Sequence, residues 1–337
     1  MRSYHVEPGG GLSSLHVREH EVPVPRGRDV LLRVMATSLN YRERMIIVDG
    51  VYSLPLKPDL IPACDGAGEV ITVGPDVATL RAGDRVAASV FPRWLDGPFD
   101  RRFADQLGGS LDGMLSEYVL LDEDALVRIP PHLTYEEAAT FPCAGVTAWH
   151  ALTAMAAPLA GETILILGSG SVALFALTFA RAFGVRTIIV TSSPAKAARL
   201  RELGADHTID YHESPDWQVV VRELTDGRGV DRVVELGGAA TLGRSIAAVA
   251  LSGRIALVGA LGGAAQIAAS ALAGNVYSLE RISLGSRAHF EAMNRSVAQH
   301  ELRPVIDRVY PFDEAPAAFA DLIERERVGK VVIRVAV

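Results

Sequence analysis

The chain has 337 residues, 49% of them hydrophobic and 22% charged, with a formal net charge of −7. This length suffices for two domains with substantial cores, and an acidic balance without a dense Lys/Arg run excludes a general attraction to nucleic acid or to anionic membranes. No stretch reaches the roughly 18 uninterrupted apolar residues of a membrane span, and two cysteines far apart in the sequence exclude a disulfide framework.

The first 130 or so residues are predicted to form short strands separated by turns. The predicted strands are 29–39, 66–74, 84–89, 116–121 and 125–130. Gly-Pro-Asp at 74–76 and Ala-Gly-Asp at 82–84 supply turn chemistry between them. This spacing predicts a β-rich, barrel-like domain.

From Leu133 onward the pattern changes to helices alternating with strands. A helix is predicted after Thr134, with Glu137 three residues later as the partner of a capping box. The strands predicted beyond it are 163–167, 187–190, 207–210, 231–236 and 254–261. Such alternation predicts a parallel, doubly wound α/β sheet. A helix at 289–300, a further helix and a strand from Lys330 are expected to follow.

A glycine turn follows the predicted strand 163–167. Gly168, Gly170 and Ala173 form the pattern G-x-G-x-x-A at the head of a predicted helix. The first small residue permits a sharp turn, the second lets the backbone approach a pyrophosphate, and the third lets the helix pack on the strand. A glycine-rich turn alone is weak evidence, but the alternation that follows it predicts a dinucleotide site. We expect that site at Gly168, Ser169, Gly170, Ser171 and Val172.

The residues after the next predicted strand indicate which dinucleotide binds. An NAD site places Asp or Glu roughly 20 residues beyond the first glycine, whereas no carboxylate lies between Val190 and Lys196. Ser192, Ser193 and Lys196 offer two hydroxyls and an ammonium at a helix start, which favours the 2′-phosphate of NADP(H). The alternative is simple capping by Ser193 with a solvent-exposed lysine.

Three segments together resemble the medium-chain dehydrogenase/reductase superfamily. IPACDGAGEVITVGPDVATLRAGDRVA (61–87) resembles the family's barrel signature, FPCAGVTAWHAL (141–152) the entry to its cofactor domain, and VGKVVIRV (328–335) its C-terminus. The resemblance implies a GroES-like β-barrel catalytic domain at 1–124 and 295–337, and an inserted Rossmann domain at 125–294. It also implies an active site in the cleft and a homodimer or homotetramer.

The zinc ligands of the family's alcohol dehydrogenases are mostly replaced here. Asn40 stands where those relatives have their first cysteine, Ala63-Cys64-Asp65 replaces their Gly-His-Glu, and only Cys143 is kept. Cys64, Asp65 and Cys143 would be an unusual catalytic zinc set, and buried apolar packing is the alternative role for both cysteines. The stretch 94–113 lacks the cysteines of a structural zinc lobe. We therefore expect no metal, which favours the zinc-free quinone oxidoreductase-like and enoyl reductase-like branch.

The resemblance to enoyl reductases suggests how such a site acts. Tyr52 is the predicted hydrogen-bond or proton donor to the reduced substrate, and Asn40 a second donor to its oxygen. Packing on a loop is the alternative role of Tyr52, and Tyr41 competes for the role of donor.

The resemblance also adds residues to the predicted cofactor site. Tyr211 is expected beside the adenosine 2′-phosphate, Thr147 on the nicotinamide side, and Lys330 at the cofactor or at the mouth of the substrate site. The backbone of Val258, Gly259 and Ala260 is expected under the nicotinamide carboxamide, because small residues permit close approach.

The resulting function is an NADPH-dependent oxidoreductase that transfers hydride to a quinone, enone or activated carbonyl of small size, without zinc. One alternative is an NADP-dependent alcohol dehydrogenase with an atypical or absent zinc site. Another is a non-catalytic NADPH-binding protein. The N-terminus lacks the pattern of a signal peptide, so we expect a cytoplasmic protein that has no membrane or nucleic-acid partner.

Overall fold

The structure, a computed structural model, describes residues 1–259, 276–323 and 328–336. The chain divides into two units, Met1–Val146 with Gly285–Val337, and Thr147–Leu284. The boundaries predicted after residues 124 and 294 differ from this division for a physical reason. Strand Leu126–Arg128 pairs with strand Arg85–Ala88, and Asn294 donates a hydrogen bond to the Arg128 carbonyl at 2.9 Å, so both flanking segments belong to the first unit.

The first unit is built on a mixed sheet around one long strand, Asp29–Leu39, whose partners are strands from both ends of the unit's sequence. The order across the sheet is Ile306–Pro311, Lys330–Arg334, Asp29–Leu39, Asp65–Val73, Arg85–Ala88 and Leu126–Arg128, with Tyr118–Asp122 also paired to Asp29–Leu39. A hairpin of Arg2–His5 with His16–Glu19, which the sequence analysis missed, forms a separate sheet. The β-rich prediction is confirmed.

Helices and single turns complete the first unit. The helices are Tyr41–Ile47, Tyr135–Ala138, Arg287–Gln299 and Ala315–Ile323, with 3₁₀ turns at Leu12–Ser14, Arg101–Phe103, Glu123–Ala125 and Phe312–Glu314. The predicted capping box is confirmed, since Thr134 Oγ1 accepts from Glu137 N at 3.2 Å and the Glu137 carboxylate accepts from Thr134 N at 2.9 Å.

The helix predicted to continue past Thr134 is interrupted. A π-helical turn, Phe141–Gly145, separates Tyr135–Ala138 from the helix Val146–Thr153. Pro142 lies in this turn, and proline lacks the N–H that a regular helix needs. The turn places Cys143 beside strand Asp65–Val73.

The second unit contains a six-stranded parallel sheet. Its order is His207–Asp210, Arg186–Thr191, Thr163–Leu167, Val230–Glu235, Val249–Leu257 and Tyr277–Arg281. The helices between the strands are Ser171–Ala182, Pro194–Glu202, Trp217–Glu223 and Ala239–Ala248. The order reverses at strand Thr163–Leu167, as in a doubly wound dinucleotide-binding sheet, which confirms the predicted topology.

The sheet core of the second unit consists of strand residues that are buried completely. Leu165, Ile188 and Ile255 are each 0% exposed and belong to one apolar cluster, as expected for strands covered on both faces. None of the helices within residues 1–259, 276–323 and 328–336 is long and apolar enough to cross a membrane.

Candidate functional site

The glycine turn of the second unit is open in front of the helix Ser171–Ala182. Gly168 has φ +88°, a conformation that side chains rarely adopt, and its N–H donates to the Val190 carbonyl at 2.6 Å. A Cβ built on Gly168 or Gly170 would meet no atom of the described residues within 4 Å. No described side chain caps the helix at Gly170, so the positive end of the helix dipole has no side-chain acceptor at this turn.

The remaining residues of the predicted glycine pattern are buried or partly buried around the turn. Ala173 is 0% exposed and packs into the core, while Ser169, Ser171 and Val172 are partly buried around the turn. The open cradle and the uncapped helix start fit a pyrophosphate.

A second polar group lies where strand Arg186–Thr191 ends. Ser193 begins the next helix and accepts a hydrogen bond from Lys196 N at 3.3 Å. The Lys196 ammonium donates to Ser192 Oγ at 3.1 Å. The two hydroxyls and the ammonium that the sequence predicted are thus brought together.

Two further residues extend this polar group. The backbone N–H of Tyr211, directly after the adjacent strand, donates to the Thr191 carbonyl at 3.0 Å, and its side chain is 41% exposed. Thr191 is 1% exposed, and its Oγ1 has no hydrogen-bond partner among the described residues. Sequence reasoning missed Thr191, whose only signal is its place immediately before Ser192.

The segment at Val258 and Gly259 is held against the neighbouring strand. Both N–H groups donate to the Glu235 carbonyl at 2.9 Å, and a Cβ on Gly259 would lie 2.1 Å from the Leu236 carbonyl oxygen. Glycine is therefore required here by the approach of two protein segments, whatever the segment binds. Ala260 lies outside the described residues.

Two further polar side chains of the second unit are buried. Thr147 is 6% exposed in the helix Val146–Thr153. The Glu235 carboxylate, which sequence reasoning missed, is 0% exposed and accepts from the N–H groups of Gly237 and Gly238 and from the Thr241 hydroxyl.

The first unit contains a buried polar cluster centred on a carboxylate. The Asp65 cluster, as we call it, comprises Ser38, Asn40, Cys64, Asp65, Cys143 and Lys330. Asp65 is 0% exposed, and its Oδ2 accepts from Ser38 Oγ at 2.7 Å, Asn40 Nδ2 at 2.9 Å and Lys330 Nζ at 3.2 Å. Its Oδ1 accepts from the backbone N–H of Cys143 at 2.7 Å.

Lys330 is a buried member of this cluster. Its side chain is 1% exposed, and its Nζ lies 2.9 Å from the Leu39 carbonyl, 2.7 Å from Asn40 Oδ1 and 3.2 Å from Asp65 Oδ2. Three acceptors use the three N–H groups of the ammonium. The predicted contact of Lys330 with a cofactor or with the mouth of the substrate site stays a prediction.

Asn40 is likewise engaged at both ends of its amide. Nδ2 donates to Asp65 and lies 3.6 Å from Cys64 Sγ, while Oδ1 accepts from Lys330. In this arrangement the Asn40 amide contacts Cys64, Asp65 and Lys330, and the predicted donation to a substrate oxygen stays a prediction.

The set Cys64, Asp65 and Cys143 offers a zinc ion two thiols and a carboxylate that is already hydrogen-bonded. The two Sγ atoms and an Asp65 oxygen lie within 4.8 Å of one another. However, Asp65 already accepts four hydrogen bonds from nitrogen and hydroxyl donors, one of them a buried ammonium, and a fifth from Cys64 Sγ at 3.9 Å. Ligation would require these bonds to be exchanged for the metal. Two thiols then remain, whereas an open zinc site uses three protein ligands.

The helix Tyr41–Ile47 inserts two charged side chains next to this cluster. Asn40 precedes the helix, and the Glu43 carboxylate accepts from Asn40 N at 2.7 Å and from Cys64 N at 3.2 Å. The Arg42 guanidinium donates to the Leu107 carbonyl at 2.9 Å. Arg42 and Glu43 are 7% and 1% exposed. Burial raises the pKa of the Glu43 carboxyl, and Arg42 opposes the rise.

Tyr52 packs on this helix through Arg42. The Arg42 Cζ atom lies 5.1 Å from the centre of the Tyr52 ring, a cation–π distance. Burial raises the pKa of the Tyr52 phenol, and the Arg42 charge opposes the rise, so the hydroxyl stays protonated at neutral pH. Tyr41, the competing candidate, is 42% exposed, with Arg44 over its ring.

Comparisons with known proteins cover both units. A family model described as "Alcohol dehydrogenase GroES-like domain" matches residues 26–131, and one described as "Zinc-binding dehydrogenase" matches residues 171–299. A zinc-type alcohol dehydrogenase-like protein of Schizosaccharomyces pombe is 36% identical over 334 residues, 96% of each chain. A quinone oxidoreductase of Pseudomonas aeruginosa is 31% identical over 337 residues, also 96% of each chain. A solved structure of an NAD-dependent alcohol dehydrogenase is 32% identical, covers 100% of both chains and has a TM-score of 0.87.

Proposed function

Because the chain belongs to the medium-chain dehydrogenase/reductase superfamily and is an oxidoreductase with a GroES-like and a Rossmann domain, we propose that it is a zinc-independent, NADPH-dependent reductase. Its substrates are a quinone, an enone or another activated carbonyl compound. The observation that carries the proposal is the pairing of Asp65 with Lys330. This pairing occupies the only carboxylate among the three candidate ligands, which supports chemistry without a metal.

Residues of the second unit would hold the cofactor. NADPH supplies a hydride from C4 of its nicotinamide ring when bound. The turn Gly168–Val172 offers backbone N–H groups to the pyrophosphate, and Ser192, Ser193 and Lys196 offer hydroxyls and a positive charge to the 2′-phosphate. No carboxylate lies between Val190 and Lys196 to repel that phosphate.

Tyr52 would serve the substrate. Reduction of a conjugated or plain carbonyl compound places negative charge on oxygen, and a neutral phenol can donate a hydrogen bond or a proton to it. Burial keeps this phenol protonated, and Arg42 fixes its ring from one face. Asn40 acts through Asp65 and Lys330 and is a positioning residue.

Zinc-dependent alcohol dehydrogenation is the second candidate. The closeness of the two thiols favours it, as do the descriptions of the yeast relative and of one matching family model. NAD dependence, which the solved structure's description records for that protein, is the corresponding alternative for the cofactor.

The decisive experiment is a turnover panel with purified protein. Oxidation of NADPH and of NADH is followed with quinones, enones, aldehydes and acyl thioesters, with and without a chelator, and bound metal is measured. The proposal expects turnover of a quinone, enone or aldehyde, a preference for NADPH and no effect of the chelator. Stoichiometric zinc with chelator-sensitive alcohol oxidation would establish the second candidate instead, and a preference for NADH would overturn the cofactor assignment.

A further inference from the structure

Cys64 and Cys143 are nucleophilic groups that the proposed reaction does not use. Their Sγ atoms lie within 4.8 Å of each other. Cys64 is 0% exposed, immediately before strand Asp65–Val73, whereas Cys143 is partly exposed in the π-helical turn Phe141–Gly145. Cys143 is thus the more exposed residue of the pair, and Cys64 is the shielded one.

Buried carboxylates hold both cysteines by their backbones. The Cys64 N–H donates to the Glu43 carboxylate at 3.2 Å, and the Cys143 N–H donates to Asp65 Oδ1 at 2.7 Å. These anchors keep the two sulfurs near each other. A disulfide has an S–S distance of about 2.0 Å, so the sulfurs would have to approach by less than about 3 Å.

We propose that Cys64 and Cys143 form a site of reversible oxidation, at which a hydroperoxide converts the two thiols into an intramolecular disulfide. Cys64 is buried and Cys143 is partly exposed, and this difference assigns the two cysteines different parts. Cys143 is the sulfur that the peroxide oxidises first, and Cys64 is the resolving thiol.

The chemistry balances in two steps. Cys143 Sγ attacks one peroxide oxygen, the O–O bond breaks, and the thiol proton leaves with the other oxygen as water or an alcohol, which gives a sulfenic acid. Cys64 Sγ then attacks the Cys143 sulfur, the S–O bond breaks, and the departing hydroxide takes the Cys64 thiol proton as water. Two electrons pass from the thiols to the peroxide, and a thiol reductant reverses the bond.

The oxidised chain should also lose reductase turnover, a consequence that rests on the proposed function. Closing the disulfide pulls on the Cys143 backbone, whose N–H is bonded to Asp65. That carboxylate is in turn held by Asn40, which begins the helix that carries Arg42 under the Tyr52 ring.

The chain contains two cysteines in all, so the number of thiols lost on oxidation can be counted directly. Intact protein is treated with hydrogen peroxide, quenched, unfolded and labelled with a maleimide, then analysed by mass spectrometry and on a non-reducing denaturing gel. Both thiols should disappear together in a monomeric chain that has lost two hydrogen atoms, and dithiothreitol should restore both.

Two single variants separate the roles. In Cys143→Ala, the shielded Cys64 thiol should react at least about tenfold more slowly than in the parent chain. In Cys64→Ala, Cys143 should proceed to sulfinic or sulfonic acid, which dithiothreitol does not reverse.

Loss of one thiol while Cys64 stays free in the parent chain would overturn the proposal, as would disulfides between chains. These readouts count thiols and need no substrate, so they stand even where the turnover panel fails. If the disulfide forms but turnover is unchanged, the modification site stands and its effect on activity is refuted.

Discussion

A Lys330→Met substitution removes the buried ammonium and keeps an unbranched side chain. Lys330 Nζ now donates to the Leu39 carbonyl at 2.9 Å, Asn40 Oδ1 at 2.7 Å and Asp65 Oδ2 at 3.2 Å. Methionine supplies none of these bonds and leaves the Asp65 charge buried without a counter-charge. Removal of one partner of a buried ion pair costs about 3–5 kcal/mol, and we expect the free energy of unfolding to fall by about that amount.

Two comparison variants test the reasoning. Lys57→Met breaks the ion pair with Asp112, whose partners are 38% and 43% exposed, and should cost less than about 1 kcal/mol because water screens exposed pairs. The double variant Asp65→Asn/Lys330→Met removes both buried charges. The double variant should lose less free energy of unfolding than the Asp65→Asn and Lys330→Met single variants lose in sum, by about 1–3 kcal/mol.

Stability is measured by urea unfolding, followed by circular dichroism and by tryptophan fluorescence, with linear extrapolation where both transitions coincide. Native-state hydrogen exchange of the amides in strand Lys330–Arg334 reports on the first unit directly. A Lys330→Met cost no larger than that of Lys57→Met, or a double variant equal to the sum of its parts, would refute the charge-pairing argument.

Three further predictions concern the proposed reaction and its cofactor. Tyr52→Phe should lower kcat by about 10²–10⁴-fold with unchanged NADPH affinity, and Tyr41→Phe is the matched control. Because the Tyr52 pKa is raised, the wild-type rate should stay level until the pH exceeds about 10. A fall in that rate near neutral pH would assign the proton to another group. Lys196→Met should raise KM for NADPH by about 10–100-fold, since a charged hydrogen bond contributes about 1.5–3 kcal/mol, and should leave KM for NADH unchanged. Arg199, on the same helix, pairs with Glu202, and Arg199→Met should change neither KM for NADPH nor KM for NADH. Gly168→Ala should lower stability by about 1–2 kcal/mol, because the residue has φ +88°, and should weaken NADPH binding measured by fluorescence titration, whereas wild-type affinity would place the pyrophosphate elsewhere.

Local sequence patterns predicted the features that depend on neighbouring residues. An apolar run predicted the strand Thr163–Leu167, and a glycine predicted the turn at Gly168. Helical spacing predicted the helix that follows, which ends at Ala182. The Thr134 capping box and the Ser193 N-cap depend on residues three positions apart, so the sequence contains both partners within one turn. The interruption at Phe141–Gly145 escaped prediction although Pro142 signalled it.

The sequence alone therefore determined the two kinds of domain, the glycine turn and the polar helix start. Each of these depends on patterns within short segments of the chain. Only the tertiary structure shows the contacts of Lys330, Asn40 and Cys143. Lys330 meets Asp65 and Asn40 across 265 and 290 residues of sequence, and Cys143 meets Asp65 across 78. A buried charge is stable only beside its counter-charge and its hydrogen-bond partners, and partners this distant are brought together by the folded sheet and not by any pattern along the chain.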